Sequence, residues 1–184
     1  MRRLPHTLTL LRIAASPLLV WLLLQGRFRI ALGISLIAGL SDWFDGYLAR
    51  RLGAAGKLGE ILDPLADKIL LLTLFLALGA LRLIPLWMLS LAIGRDLIIV
   101  GGALVLRIFR GARRFVPSTL GKVSTFFQIL LVLLALVYAS YRYELFFWLN
   151  NAGLVLSAIF TGLSGIGYIR LGIRMARAPA ADFR

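Results

Sequence analysis

The chain contains no cysteine and a single histidine, His6, in 184 residues. Disulfides, thiolate metal sites and histidine clusters are thereby excluded. Charge is also scarce. Only 16% of residues are charged, against about 25% in ordinary soluble domains. Acids are the rarest class, with 8 Asp and Glu against 21 Lys and Arg, giving a formal net charge of +13 at pH 7. No internal repeat or low-complexity stretch divides the sequence. What remains is apolar: 60% of residues are hydrophobic and the mean hydropathy is +0.91. These values describe an integral membrane protein whose 184 residues form one helical domain.

A bilayer core of about 30 Å needs roughly 20 apolar residues per helix. On that ruler the sequence predicts an all-α, polytopic bundle of six transmembrane helices, near 6–25, 29–50, 60–80, 84–109, 118–140 and 145–172. The breaks fall at Gly26, Arg51–Gly59, Arg82, Gly111–Pro117 and Tyr141–Glu144. The start, MRRLPHTLTLLRIAASPLLVWLLLQ, has the basic and apolar regions of a signal peptide, but Arg12 interrupts it and further spans follow. It reads as a retained first helix. Fourteen Arg and Lys residues flank one side of these spans, among them Arg50, Arg51, Lys57, Arg113, Arg114 and Lys122. Four flank the other: Arg27, Arg29, Arg82 and Arg142. The positive-inside rule puts the richer side, and with it both termini, in the cytoplasm; the expected location is a bacterial inner membrane. The basic residues edge membrane spans and also attract anionic lipid. They form no soluble basic domain, so nucleic acid is not an expected partner.

Four aspartates are gathered in one place. Asp42, Asp45, Asp63 and Asp67 fall within 26 residues. A carboxylate near a bilayer is costly unless a cation, a partner or water compensates it. Asp42 and Asp45 are spaced i,i+3, about 60° apart on a helix, and Asp63 and Asp67 i,i+4, about 40° apart. Each pair shares a face, and the short connection at 51–59 lets the two faces meet at the cytoplasmic boundary. Four close carboxylates do not all stay ionised without cations. An all-oxygen set suits Mg²⁺ or Mn²⁺, with water and a substrate phosphate completing the shell. Gly46, Ala49 and Gly59 leave room beside the carboxylates for a bulky group; close helix packing is the alternative reading of the same small residues.

Asp42-x2-Asp45-Gly46-x2-Ala49-Arg50-x8-Gly59-x3-Asp63-x3-Asp67 matches the signature of the CDP-alcohol phosphatidyltransferase family, and the six-span profile resembles that family's bundle. The resemblance implies two divalent ions on Asp42, Asp45 and Asp63, holding the diphosphate of CDP-diacylglycerol. It implies that Asp67 contributes to the metal site and acts as general base, accepting the proton of an attacking acceptor hydroxyl as CMP leaves. Gly46, Ala49 and Gly59 would line the nucleotide pocket. Arg50 is the motif arginine, with a topology anchor as its other reading. A homodimer is also implied.

The acceptor is read from residues outside the signature. Arg95-Asp96 lies within the fourth span; Arg95 is a candidate acceptor ligand or half of a buried pair. Arg113 and Arg114 follow in the next cytoplasmic loop, where forked guanidiniums suit phosphate and a solvated loop is the plainer reading. Lys122, Thr125 and Gln128 recur every three residues and can share a face. With Leu8–Arg12 (LTLLR) they resemble the phosphatidylglycerophosphate synthase and cardiolipin synthase branch. His6 stands where that branch usually has Asn. Asp96 stands where the first of these enzymes usually has Glu, which with Pro117-Ser118 tilts toward the second. Glycerol 3-phosphate is the favoured acceptor, because a compact basic cluster fits a phosphomonoester; phosphatidylglycerol is the alternative. An ion-coupled transporter or a structural protein with a regulatory metal site fits less well. The acids crowd one membrane face, and the opposite half of the bundle has almost no polar groups.

Overall fold

The computed structural model describes residues 15–52, 59–110 and 118–177, with side chains described within 15–41, 68–102, 104–105 and 118–174. Among them the chain is all-helical. Helix α1 covers Ala15–Leu24, α2 Phe28–Leu52, α3 Gly59–Ala80, α4 Leu86–Arg110, α5 Thr119–Tyr141 and α6 Glu144–Arg177. Six helices thus stand where six apolar runs predict them. By length and apolarity, two of them qualify as membrane spans among the described residues, Thr119–Tyr141 and Glu144–Arg174.

Three turns are built in the same way. Gly26 has a φ of 69°, Arg82 of 58° and Arg142 of 55°. After α1, the Gly26 amide donates to the Leu23 carbonyl (3.0 Å) and the Arg27 amide to Leu22 (2.8 Å). After α3, the Arg82 amide donates to Gly79 (3.0 Å) and the Leu83 amide to Leu78 (2.9 Å). Both are Schellman ends, in which a left-handed residue satisfies carbonyls the helix has orphaned. After α5, a single bond from the Arg142 amide to Tyr138 (2.8 Å) does the same. Glycine meets the left-handed requirement without steric cost at position 26; arginine meets it under strain at 82 and 142.

Two compact units are present. The first comprises α1, α2, α3 and the segment Val132–Phe147. Its buried residues follow helical spacing: Leu19, Leu22 and Leu23 on α1, Leu74 and Leu78 on α3, and Val132, Ala135, Leu136 and Ala139 on α5. The outward faces are equally apolar. Ile69, Leu72 and Leu76 are all exposed on α3, as are Leu36, Ile37 and Leu40 on α2. A helix apolar all round belongs in a membrane or a large core, and exposed faces of this kind fit acyl chains rather than water.

The second unit comprises α4, the first part of α5 and most of α6. Met88, Ala92 and Arg95 are buried on α4, Ser124, Gln128 and Leu131 on α5, and Ser157, Thr161, Ser164 and Tyr168 on α6. Its inner seam is therefore polar, an arrangement that suits helices associating within lipid, where small residues and hydroxyls hold neighbours together. Phe127 and Phe160 stack beside the seam, with ring centroids 4.6 Å apart.

Candidate functional site

The four aspartates sit on two consecutive helix ends of one unit. Asp42 and Asp45 are on the C-terminal half of α2, and Asp63 and Asp67 on the N-terminal half of α3. The backbone is helical at all four, so the i,i+3 and i,i+4 spacings place each pair on one face. Six residues, 53–58, join the two helices. The N-terminal end of α3, with its unbonded amides, favours negative charge nearby. Gly46, Ala49 and Arg50 follow on α2, and Gly59 opens α3. The side chains of all these residues lie outside the described set, as do His6, Lys57, Arg113 and Arg114 altogether. The donor set consists of oxygen alone, in two helical pairs, and fits hard divalent cations. Elsewhere among the described residues no group of three or more His, Cys, Asp or Glu is placed to hold a metal.

Arg95 is the best-defined candidate. It is 5% exposed, and its guanidinium is bonded on every nitrogen. Nε donates to Ser164 Oγ (3.2 Å), Nη1 pairs with Asp96 Oδ1 (2.7 Å), and Nη2 donates to the Gly121 carbonyl (3.0 Å). The Tyr168 ring lies 5.8 Å from the guanidinium carbon. The Tyr168 hydroxyl accepts from the Ser118 amide (3.0 Å), and Ser118 Oγ caps α5 by accepting from the Gly121 amide (3.0 Å). The Arg95–Asp96 pair offered by the sequence is thus present, with Arg95 buried and Asp96 half-buried, and it belongs to a larger centre joining α4, α5 and α6.

Lys122, Thr125 and Gln128 do not share a face. Lys122 is exposed, while Gln128 is buried and donates through Nε2 to Thr161 Oγ1 (3.1 Å). Thr125 is half-buried and donates to its own helix at Gly121 (3.1 Å). Steps of three residues drift by about 60° each, enough over two steps to turn Lys122 away. The inward stripe is Gly121, Ser124 and Gln128, with Ser124 hydrogen-bonded to Thr161 (3.1 Å). Sequence reasoning missed Ser124, Thr161, Ser164 and Tyr168. The signal for those on α6 was present: Ser157, Thr161, Ser164 and Tyr168 recur at four, three and four residues in an apolar helix. Asn150 Oδ1 and Ser157 Oγ are also buried on α6, with no hydrogen-bond partner.

At the other end of α2 a depression of about 400 Å³ is lined by Gly26–Ile30, Ala139 and Ser140. Residues 28 and 45 stand about 25 Å apart along the helix, so this depression is separate from the aspartates.

Comparison with known proteins agrees with the signature. The family model described as CDP-alcohol phosphatidyltransferase matches residues 2–162, and the chain belongs to that family. A CDP-diacylglycerol–glycerol-3-phosphate 3-phosphatidyltransferase of Aquifex aeolicus is 34% identical over 179 residues, covering 93% of this chain and 96% of that one. The chloroplastic rice protein of the same activity name is 32% identical over 158 residues, covering 77% of this chain and 48% of its own length. The CMP-forming cardiolipin synthase of Rattus norvegicus is 32% identical over 155 residues, covering 76% and 51%. The chain thus spans about half the length of these plant and animal relatives and nearly all of the bacterial one.

Proposed function

We propose that this protein transfers the phosphatidyl group of CDP-diacylglycerol to a hydroxyl of glycerol 3-phosphate and releases CMP. One observation carries the reading: the eight-position signature Asp42 to Asp67 lies on two adjoining helix ends, in a chain aligned almost end to end with a bacterial enzyme named for that reaction. Asp42, Asp45 and Asp63 would hold two Mg²⁺ or Mn²⁺ ions, with Asp67 contributing. Bound there, such ions neutralise the diphosphate and stabilise the attacking and leaving oxygens. Asp67 accepts the proton of the acceptor hydroxyl, whose oxygen bonds to the lipid-side phosphorus. The bond from that phosphorus to the CMP oxygen breaks, and the electron pair leaves with CMP. Gly46, Ala49 and Gly59 keep the nucleotide approach open, with Arg50 beside them. Arg113, Arg114 and Lys122 receive the acceptor's phosphate, in a region to which Arg95 belongs.

The six helices form a single membrane domain, with the aspartates and both termini at the cytoplasmic face of a bacterial inner membrane and two copies in a homodimer. The distribution of aromatics supports the membrane reading. Trp21, Trp87, Trp148, Tyr141 and Tyr143 are exposed, and each lies within two helical turns in sequence of Gly26, Arg82 or Arg142. Such residues favour the headgroup level of either face, which fits these turns to a membrane surface.

Phosphatidylglycerol as acceptor is the second reading, favoured by the similarity to cardiolipin synthase. The test is CMP release by purified protein in CDP-diacylglycerol micelles with glycerol 3-phosphate, phosphatidylglycerol, inositol phosphate and serine offered in turn. Release with glycerol 3-phosphate is expected. Release with phosphatidylglycerol alone would transfer the assignment to cardiolipin synthesis. Absence of both release and isotopic CMP exchange would refute the transferase.

A further inference from the structure

Arg95 is held too completely to be a simple phosphate ligand. Its three nitrogens are committed to Ser164, Asp96 and the Gly121 carbonyl, and almost none of it reaches solvent. Two of these bonds leave α4 for α5 and α6. The Tyr168 hydroxyl closes the arrangement from α6 by accepting the Ser118 amide, immediately before α5 begins. Gly121 is where the pieces meet. A Cβ at that position would stand 2.7 Å from Tyr168 Oη, 3.1 Å from Arg95 Nη2 and 3.2 Å from Tyr168 Cε2. No side chain fits there unless its neighbours move. The first turn of α5 is thus fixed from two sides, by a carbonyl bond and an amide bond, at a position where a Cβ would crowd both Tyr168 and Arg95. Lys122, next in sequence, is exposed, and residues 113 and 114 precede this turn by a few positions.

We infer that Arg95, Gly121 and Tyr168 form a clamp that sets the start of α5, and that through it Arg95 acts as a positioning residue for recognition of the acceptor's phosphate. This rests on the transferase reading and assigns Arg95 a different part in it. The clamp holds the segment from which Lys122 projects, and it leaves CDP-diacylglycerol to the aspartates of α2 and α3. A shift of about an ångström in a positioned group costs up to about a hundredfold, so a loosened clamp acts on the acceptor and spares the lipid nucleotide.

Gly121→Ala is the primary variant, with Tyr168→Phe, which removes the colliding hydroxyl, as its partner. Arg95→Lys, which keeps the charge and loses the fork, is the third. Acceptor KM and CDP-diacylglycerol KM are measured for each, together with Tm in detergent. Gly121→Ala and Arg95→Lys are expected to raise acceptor KM roughly 10- to 100-fold with the CDP-diacylglycerol KM unchanged. The double variant Gly121→Ala/Tyr168→Phe is expected to recover part of both acceptor KM and Tm relative to Gly121→Ala alone. Equal changes in the two KM values, or additive losses of Tm in the double variant, would overturn the clamp. Wild-type protein inactive with every acceptor would refute the transferase reading instead, and the clamp contacts would still be judged by recovery of Tm in the double variant.

Discussion

Replacing Asp67 by Asn keeps the side chain's size and removes its capacity to accept a proton. Turnover is expected to fall by about 10²–10⁴-fold, while CDP-diacylglycerol still binds in an equilibrium assay. Asp42→Asn, Asp45→Asn and Asp63→Asn are expected to weaken nucleotide binding as well, because on the proposed two-ion reading each would remove a charged ligand. Arg113→Ala and Arg114→Ala test the other substrate. Loss of a charge-assisted hydrogen bond costs about 1.5–3 kcal/mol, so the acceptor KM should rise roughly 10- to 150-fold without change in the KM for CDP-diacylglycerol. An unchanged acceptor KM in both would leave these arginines as topology anchors. The aspartates were legible in sequence because a carboxylate in an apolar run is expensive and their spacing is local. Tyr168 and Ser164 were not. Hydroxyls are cheap in such helices, and their partners Ser118 and Arg95 lie 50 and 69 residues away, a separation that no local periodicity reports.

Whole helices were easier to read than their faces. The run predicted at 29–50 is the helix Phe28–Leu52, and that at 118–140 is Thr119–Tyr141, since glycine and charged breaks bound each apolar run. The inward face of α5 was misread because a three-residue repeat follows a helix only briefly. The turns yield a prediction at this scale. Arg82 holds a left-handed φ of 58°, which costs a side-chain-bearing residue roughly 1–2 kcal/mol. Glycine removes that cost and returns about 0.5–1 kcal/mol as backbone freedom in the unfolded chain. Arg82→Gly should therefore raise Tm in detergent by about 2 °C. Arg142→Gly should gain less, because the Arg142 guanidinium lies 5.7 Å from the Tyr138 ring and that contact would go. A lower Tm for Arg82→Gly would mean that its side chain contributes more than its backbone costs.

At the scale of the whole molecule, charge is distributed unevenly. A chain of net charge +13 keeps five of its 8 acids, the four aspartates and Glu60, in one 26-residue segment. Those four aspartates repel one another, and a substrate diphosphate adds to the repulsion. Excess EDTA is therefore expected to abolish CMP release, and Mg²⁺ or Mn²⁺ to restore it; full turnover in EDTA would remove the two-ion reading. The family was legible from this segment alone. The acceptor was less so, because its candidate residues are scattered over α4, α5 and the segment between them, and one of them, Arg95, is engaged within the protein.

The three capped turns also bear on how the protein meets proteases. Each offers trypsin an arginine, at Arg27, Arg82 or Arg142, yet only two to five residues separate the helices there. Their amides are tied to the preceding helix. Cleavage needs an extended strand of substrate, which these turns supply only by unwinding a helix end. On the proposed topology these turns share one membrane face, and in sealed vesicles that turn it outward the chain should survive trypsin intact despite its exposed arginines. A fragment ending at Arg82 would reveal that the end of α3 frays. A tag meant to report on this side of the membrane will need a linker long enough to leave all three caps undisturbed.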